Sequence, residues 1–326
     1  MHIWIRRLAV SVASVMFLII VMGALVTKTD SGLGCGYEWP LCNGKFVPAY
    51  TISSMIEYSH RAVVGIFTIL LLITTILVFM KSSRKDAKWL CVGAIFFTLL
   101  QAVLGAFAVV IPQSAPILAL HFGLSLLAFS FCFLLAVVYS KWGGIKQIDA
   151  SSSLNKNPNH ARRRNMITTT HRWLIGGILA YTYVVVYLGA FVRHTNSSGG
   201  CSGWPLCNGE IVPDLSGATG IVFIHRIGAL VLSIAIIVWF VMIRRKFDAT
   251  HPVSQASLWV VVWLGLQVIS GAVVTHSIGS ETYYLLAAMV HAVLVTLLFA
   301  FLSYIGFLTF RKNIKSDEIR VSIDGG

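Results

Sequence analysis

Charge is scarce in this sequence of 326 residues: Asp, Glu, Lys and Arg together make up 11%, and acids are the rarer, 12 against 25 basic residues. Water-soluble domains carry about 25% charged residues, so that class is excluded. A formal charge of +13 on a chain that is 57% hydrophobic does not describe a nucleic-acid-binding module either. What the chain has in abundance is apolar runs near the roughly 20 residues a helix needs to cross about 30 Å of hydrocarbon. They fall at about 8–27, 54–80, 87–110, 116–140, 166–192, 219–243, 255–276 and 283–308. Lipid offers no partner for backbone N–H and C=O groups, so each span is expected to be helical. The short alternating strands of an outer-membrane barrel are not what these runs look like. The expected fold is an all-α protein of the lipid bilayer with eight transmembrane helices.

The basic residues are unevenly placed. Arg6 and Arg7, Lys81 to Lys88, Lys141 to Arg164, Arg244 to Lys246 and Arg311 to Arg320 fall on one set of segments, whereas the opposite set holds Lys28, Lys45 and Arg193. By the positive-inside rule this asymmetry puts both termini in the cytoplasm and the segments near 28–53 and 193–218 outside the plasma membrane.

A duplication runs through the chain. Trp39-Pro40-Leu41-Cys42-Asn43-Gly44 recurs as Trp204-Pro205-Leu206-Cys207-Asn208-Gly209, and Val47-Pro48 as Val212-Pro213. His60-Arg61 recurs as His225-Arg226, Gln101 with Gly105-Ala106 as Gln267 with Gly271-Ala272, and His121 as His291, at offsets between 165 and 170. The first span follows Arg6-Arg7 in the manner of a signal peptide. Its Gly23-Ala24 and Cys35 are copied at Gly189-Ala190 and Cys201, however, so it belongs to the repeated unit. Two tandem four-helix bundles of the same orientation follow, related by an axis along the membrane normal. Their expected bounds are 1–140 for the N-terminal half, 141–165 for a cytoplasmic linker, 166–310 for the C-terminal half and 311–326 for a cytoplasmic tail.

His60 and His121 lie at comparable depth from the outer side of spans two and four, and His225 with His291 repeats the arrangement. Intramembrane ionisable groups are costly, and a single one is as readily a packing residue as a site. Two equivalent pairs favour function. Facing imidazoles in a helical bundle suit the axial positions of haem iron, whereas a zinc site wants three or four clustered ligands. His2, His160, His171 and His251 read as surface residues; His194 and His276, at outer helix ends, stay unassigned.

The halves differ at one carboxylate. Glu57 shares a helical face with His60, and the matching position is Val222. Glu57 either points into the N-terminal slot as its reacting acid or pairs with Arg61 near the interface. Arg61 and Arg226 could reach haem propionates, or snorkel to headgroups. Gln101 and Gln267 with their Gly-Ala read as helix-packing features. Four outer cysteines allow three connectivities, of which pairing within each loop is preferred. Cys91 and Cys132 fall inside spans as packing residues.

These residues together resemble haem A synthase of the bacterial kind with cysteine pairs in both outer loops. The likeness covers about residues 8–308. It implies an oxidoreductase that converts the C8 methyl group of haem O to a formyl group by successive hydroxylations, giving haem A for terminal oxidases. It further implies that His60 and His121 hold the substrate haem, that Glu57 is catalytic, and that His225 and His291 ligate a haem b (protohaem) cofactor. Cys35–Cys42 would be the loop pair near the substrate, structural or exchanging with a thiol-disulfide partner, and Cys201–Cys207 its counterpart. The protohaem farnesyltransferase that makes haem O would be a partner. Two rival classes are a quinol-linked di-haem electron carrier, which gives Glu57 no role, and a transporter, which would need more broken helices and midplane polar residues.

Overall fold

The computed structural model describes residues 2–39, 41–46, 50–111, 114–140 and 168–310. The linker at 141–165, the tail at 311–326, His160, Pro40, Val47-Pro48 and the side chain of His2 lie outside the described residues. Eight long helices are found among the described residues: α1 (His2–Lys28), α2 (Ile52–Lys81), α3 (Lys85–Val110), α4 (Ala115–Val138), α5 (Thr169–His194), α6 (Gly217–Lys246), α7 (Pro252–His276) and α8 (Glu281–Phe310). All eight are long and apolar enough to cross a membrane. Their ends follow local chemistry: the Thr51 hydroxyl accepts from the Ser54 N–H to cap α2, and Pro stands in the first turn of α4 and of α7. The largest departure from expectation is α1, which starts at His2 rather than near residue 8 and carries Arg6 and Arg7 within it.

Helix packing repeats with the sequence. α1 packs on α2 and α4, α2 on α3, and α3 on α4; likewise α5 packs on α6 and α8, α6 on α7, and α7 on α8. The two sets meet where α4 touches α5 and α8 and where α1 touches α8. α4 is accordingly the most buried span. One core cluster joins Met16, Phe67, Leu71, Leu126 and Phe129; a second joins Leu135, Ile175, Trp239, Ile243, Leu302 and Ile305. Large apolar side chains on α2, α3, α6 and α7, among them Ile66, Val103, Ile234 and Val273, face outward as lipid-facing residues should. Exposed Trp4, Trp89, Trp173 and Trp259 all stand near the first residues of the odd-numbered helices, on the side away from the cysteine loops, as an interfacial aromatic belt requires.

Two histidines read as surface residues are buried. The chain after α6 folds back so that the Phe247 ring stacks on His251 at 4.3 Å and approaches His171 at 6.5 Å. His251 is held there as a cap, its Nδ1 accepting from the Val253 N–H, and burial pushes its pKa down. A short polar-looking connection therefore hides both rings.

Each outer loop presses against the helix that follows it. A Cβ at Gly34 would lie 2.5 Å from the backbone carbonyl of Ser53, and one at Gly200 2.5 Å from that of Ala218. Backbone does not yield cheaply. Gly34→Ala and Gly200→Ala are each expected to cost about 1–3 kcal/mol, the range for overpacking. Thermal unfolding in detergent measures this; unchanged midpoints for both would contradict the close approach.

Candidate functional site

The site is built from the two outer loops and the helix ends beneath them. In each loop the Asn-Gly dipeptide turns the chain with positive φ at both positions, Asn43 (51°) with Gly44 (72°) and Asn208 (56°) with Gly209 (81°). This is the conformation of a two-residue hairpin turn, and it brings Cys42 opposite Lys45 and Cys207 opposite Glu210. Disulfides close within the loops, Cys35 to Cys42 and Cys201 to Cys207. The alternative pairings between loops are thereby removed.

Arginines fasten the loops to the helices. Arg61 Nη1 donates to the carbonyls of Glu38 (3.0 Å) and Leu41 (2.9 Å), and Arg226 Nη1 donates to that of Leu206 (3.1 Å). Beyond this shared grip the halves diverge. Arg61 also pairs with Glu57 one turn away, whose other oxygen accepts the Cys35 N–H at 2.8 Å. Arg226 finds no acid at Val222 and instead donates to Thr275 Oγ1 at 3.2 Å and toward the Cys201 carbonyl at 3.5 Å. Glu57 is 4% exposed, yet it lines the cavity that the helices enclose. Glu57 thus pairs with Arg61 and also lines the slot.

That cavity, about 2150 Å³, is lined by His60, His121, His225 and His291 together. Ordinary small-molecule sites reach about 1,000 Å³, so there is room for two large ligands. His60 lies close enough to His121 to interact electrostatically, and His291 to His225. Every ring rests on a glycine of the neighbouring helix. Ideal Cβ positions at Gly23, Gly105, Gly189 and Gly271 fall 3.3, 3.3, 2.8 and 3.4 Å from Cε1 of His60, His121, His225 and His291. From sequence alone these four glycines are helix-packing features or repeat landmarks. The periodic recurrence of Gly-Ala ahead of each histidine was the signal that could have identified them.

The glutamines also split by half. Gln101 Oε1 accepts from the Ser125 hydroxyl at 2.6 Å, whereas Gln267 Nε2 lies 3.2 and 3.0 Å from the two ring nitrogens of His291, and Ser270 Oγ lies 2.8 Å from His291 Nδ1. Val295 stands where the first half has Ser125, leaving Gln267 free to reach the ring.

Whether these residues suit an iron porphyrin is tested by three features. The donor set is imidazoles in twos, and among the described residues no three His, Cys, Asp or Glu side chains gather as a metal cluster. Two axial nitrogens are what porphyrin iron accepts. The Nδ1 atoms of His60, His121 and His225 are buried and without a hydrogen-bond partner, so no protein group engages those rings through that nitrogen. The cavity between them is mainly apolar, with Val64, Ile69, Leu99, Val185, Leu230 and Val268 among its walls. The residues fit the group.

Comparison with known proteins agrees with this geometry. The family model described as cytochrome oxidase assembly protein (COX15-CtaA) matches residues 6–303. The chain is 36% identical to "Heme A synthase" of Symbiobacterium thermophilum, over 94% of this chain and 95% of that protein. Similar relatives with the same name come from Bacillus pumilus (35%, over 96% and 98%) and Exiguobacterium sibiricum (36%, over 97% and 99%).

The glycine supports predict an ordering. Gly189→Ala would set a methyl 2.8 Å from His225 and displace the ring, while Gly271→Ala, at 3.4 Å from His291, makes an ordinary contact. The first substitution should weaken or abolish the low-spin absorbance of a haem held by the C-terminal pair and the second should leave it near normal. The reverse order, read from visible spectra of the purified variants, would reject the glycine as the ring's support.

Proposed function

The chain belongs to the cytochrome oxidase assembly protein family to which its heme A synthase relatives belong, and from that premise we propose the reaction and the residues that carry it out. It is a haem A synthase, an oxidoreductase acting on haem O within a multi-pass membrane protein. The C8 methyl group is oxidised to a formyl group by two hydroxylations, the gem-diol losing water to leave the aldehyde. Four imidazoles in two pairs around one apolar cavity, with an acid beside one pair alone, carry this reading. A farnesylated porphyrin is soluble in lipid, which accords with a protein that is nearly all span.

His60 and His121 hold the substrate, and His225 and His291 hold protohaem, which supplies redox capacity when bound. Haem O synthase is the natural donor of substrate, and both termini face the cytoplasm. The equivalent packing of α1–α4 and of α5–α8 supports two like halves, 1–140 and 166–310. Glu57 takes the proton released at the methyl carbon or stabilises positive charge there, in a setting poor in water that strengthens either effect. Arg61 pairs with the carboxylate and holds it at the cavity wall. The Cys35–Cys42 disulfide is tied to the same carboxylate through the Cys35 N–H, so exchange with a thiol-disulfide partner there would alter how Glu57 is held.

Glu57→Gln keeps the acceptor for the Cys35 N–H and loses the charge. Formyl production should fall at least about 100-fold, within the range for general acid–base groups, while haem binding survives. Chromatography of extracted haems checks this, and full conversion of haem O would remove Glu57 from the mechanism. Replacing His225 or His291 should abolish the low-spin signal of resident b-type haem. Replacing His60 or His121 should instead impair turnover and leave haem O unconverted. Spectra unchanged by loss of both C-terminal histidines would overturn the division of labour.

A further inference from the structure

The outer end of the cavity, where the two sets of helices meet, gathers Lys28 from the end of α1 with Arg193 and His194 from the end of α5. The duplication aligns Lys28 with His194. Each is followed by Thr, then by Asp30 or Asn196 in the left-handed region (φ 50° and 53°), then by Ser, and the Thr–Ser hydroxyl contact is 2.8 Å in both copies. The local frames are the same; the side chains differ.

Each of the aligned residues reaches across to the opposite half. Lys28 Nζ lies over the Tyr284 ring of α8, 5.8 Å from its centroid, and is close enough to His291 to interact electrostatically. His194 ends α5, which packs on α4, the helix that carries His121. Arg193 joins the two sides: its Nη2 donates to the Thr27 carbonyl at 3.0 Å and lies 3.4 Å from Asp30 Oδ1. Asp30 is a weak counter-charge, its side chain 89% exposed and screened by solvent. Arg193 Nε is buried with no partner, and the Lys28 ammonium, half-buried, rests on an aromatic face.

Cations withdrawn from water without acceptors are costly unless an anionic group completes them. Helix-end capping accounts for Arg193 Nη2 on the Thr27 carbonyl, but not for an ammonium resting on an aromatic face or for the orphaned Nε. Of the other basic residues on the cavity wall, Arg61 and Arg226 are occupied with their own loops and Lys45 belongs to the first outer loop, not to the seam. Height also matches. Lys28 is five residues beyond Gly23, and Arg193 and His194 are four and five beyond Gly189, so these donors stand about 6–7.5 Å outward from the level of the imidazoles at ~1.5 Å per residue. An apolar plate held at its centre by the imidazoles, with carboxylates along one edge, satisfies both requirements.

We propose that Lys28, Arg193 and His194 form a carboxylate-binding ridge for the porphyrin propionates, in which each half lends a hydrogen-bond donor to the other half's pocket. Lys28 serves the group between His225 and His291, His194 serves the group between His60 and His121, and Arg193 stands between them. The ridge rests on the haem reading above. It anchors the two pockets unequally, with an ammonium for the group that stays and an imidazole for the one that must enter and leave.

The test is binding of protohaem and of protohaem dimethyl ester, whose propionates are esterified, to the full-length protein purified from haem-depleted cells. Soret and low-spin signals report occupancy of the C-terminal pocket. Wild type should prefer protohaem about 10-fold or more, the scale of one charge-assisted bond. Lys28→Met should erase most of that preference while the ester binds as before, and Lys28→Arg should retain it. Equal affinity of wild type for the two porphyrins, or a Lys28→Met variant that binds both proportionately more weakly, overturns the ridge. The wild-type comparison stands even where a variant does not fold. Failure of wild type to bind either porphyrin would instead overturn the haem reading.

Discussion

A histidine ring set inside a bundle of apolar helices needs room on one side and a partner for its nitrogens on the other, and the rest of this structure follows from how that need is met. Room comes from glycine: Gly23, Gly105, Gly189 and Gly271 each face a ring across a helix pair. A larger residue there would push the helices apart or turn the ring out of the cavity. The partner is mostly left open, with three of the four Nδ1 atoms unbonded in a low-dielectric interior. Such orphans are expensive, and the chain leaves the same ring nitrogen unpaired in both halves.

On this repeated frame the chemistry is changed by few residues. Glu57 becomes Val222, and the arginine on the same helix exchanges its acid for Thr275 on α7, where the first half has Val109. Ser125 becomes Val295, which frees Gln267 for His291; Leu104 becomes Ser270, which gives the same ring a second contact. The second half therefore surrounds one histidine with fixed polar neighbours, as suits a permanently held ligand. The first half keeps its polar investment in a carboxylate beside the cavity. Duplication supplied two equal slots, and a handful of side chains made them unequal.

Much of this could be read before the structure, because its signals are local or periodic. The eight spans follow from length and hydropathy alone, and the pairing of the histidines follows from the collinear repeat. The turn at Asn43-Gly44 is a dipeptide signal, yet the disulfide pairing it supports was settled by the coordinates, since four cysteines permit more than one scheme. What stayed hidden depends on which helices meet. His171 and His251 looked polar and terminal until Phe247 folded over them. The glycines looked like generic packing residues because the ring each one faces lies on another helix. His194 could be aligned with Lys28 by counting, but the role of neither was legible without knowing that α1 meets α8 and α4 meets α5.

Those cross-contacts bear on why the two halves remain one chain. If each were complete, Lys28 and His194 would face their own pockets and the junction would be ordinary apolar packing. Instead the cationic ends of α1 and α5 sit at the seam, Arg193 is tied to the backbone and the carboxylate of the other half, and one cavity runs past all four histidines. A half expressed alone would expose those charges without their acceptors and would open the side of its own pocket. The continuous cavity also sets the two ligand positions in one low-dielectric space, where charge arising at one pair is felt at the other more strongly than it would be across water. On the proposed assignment, an oxidation beside Glu57 and an electron store beside His225 and His291 would be coupled most simply in such an arrangement, and the seam between the halves is the structural element that would provide it.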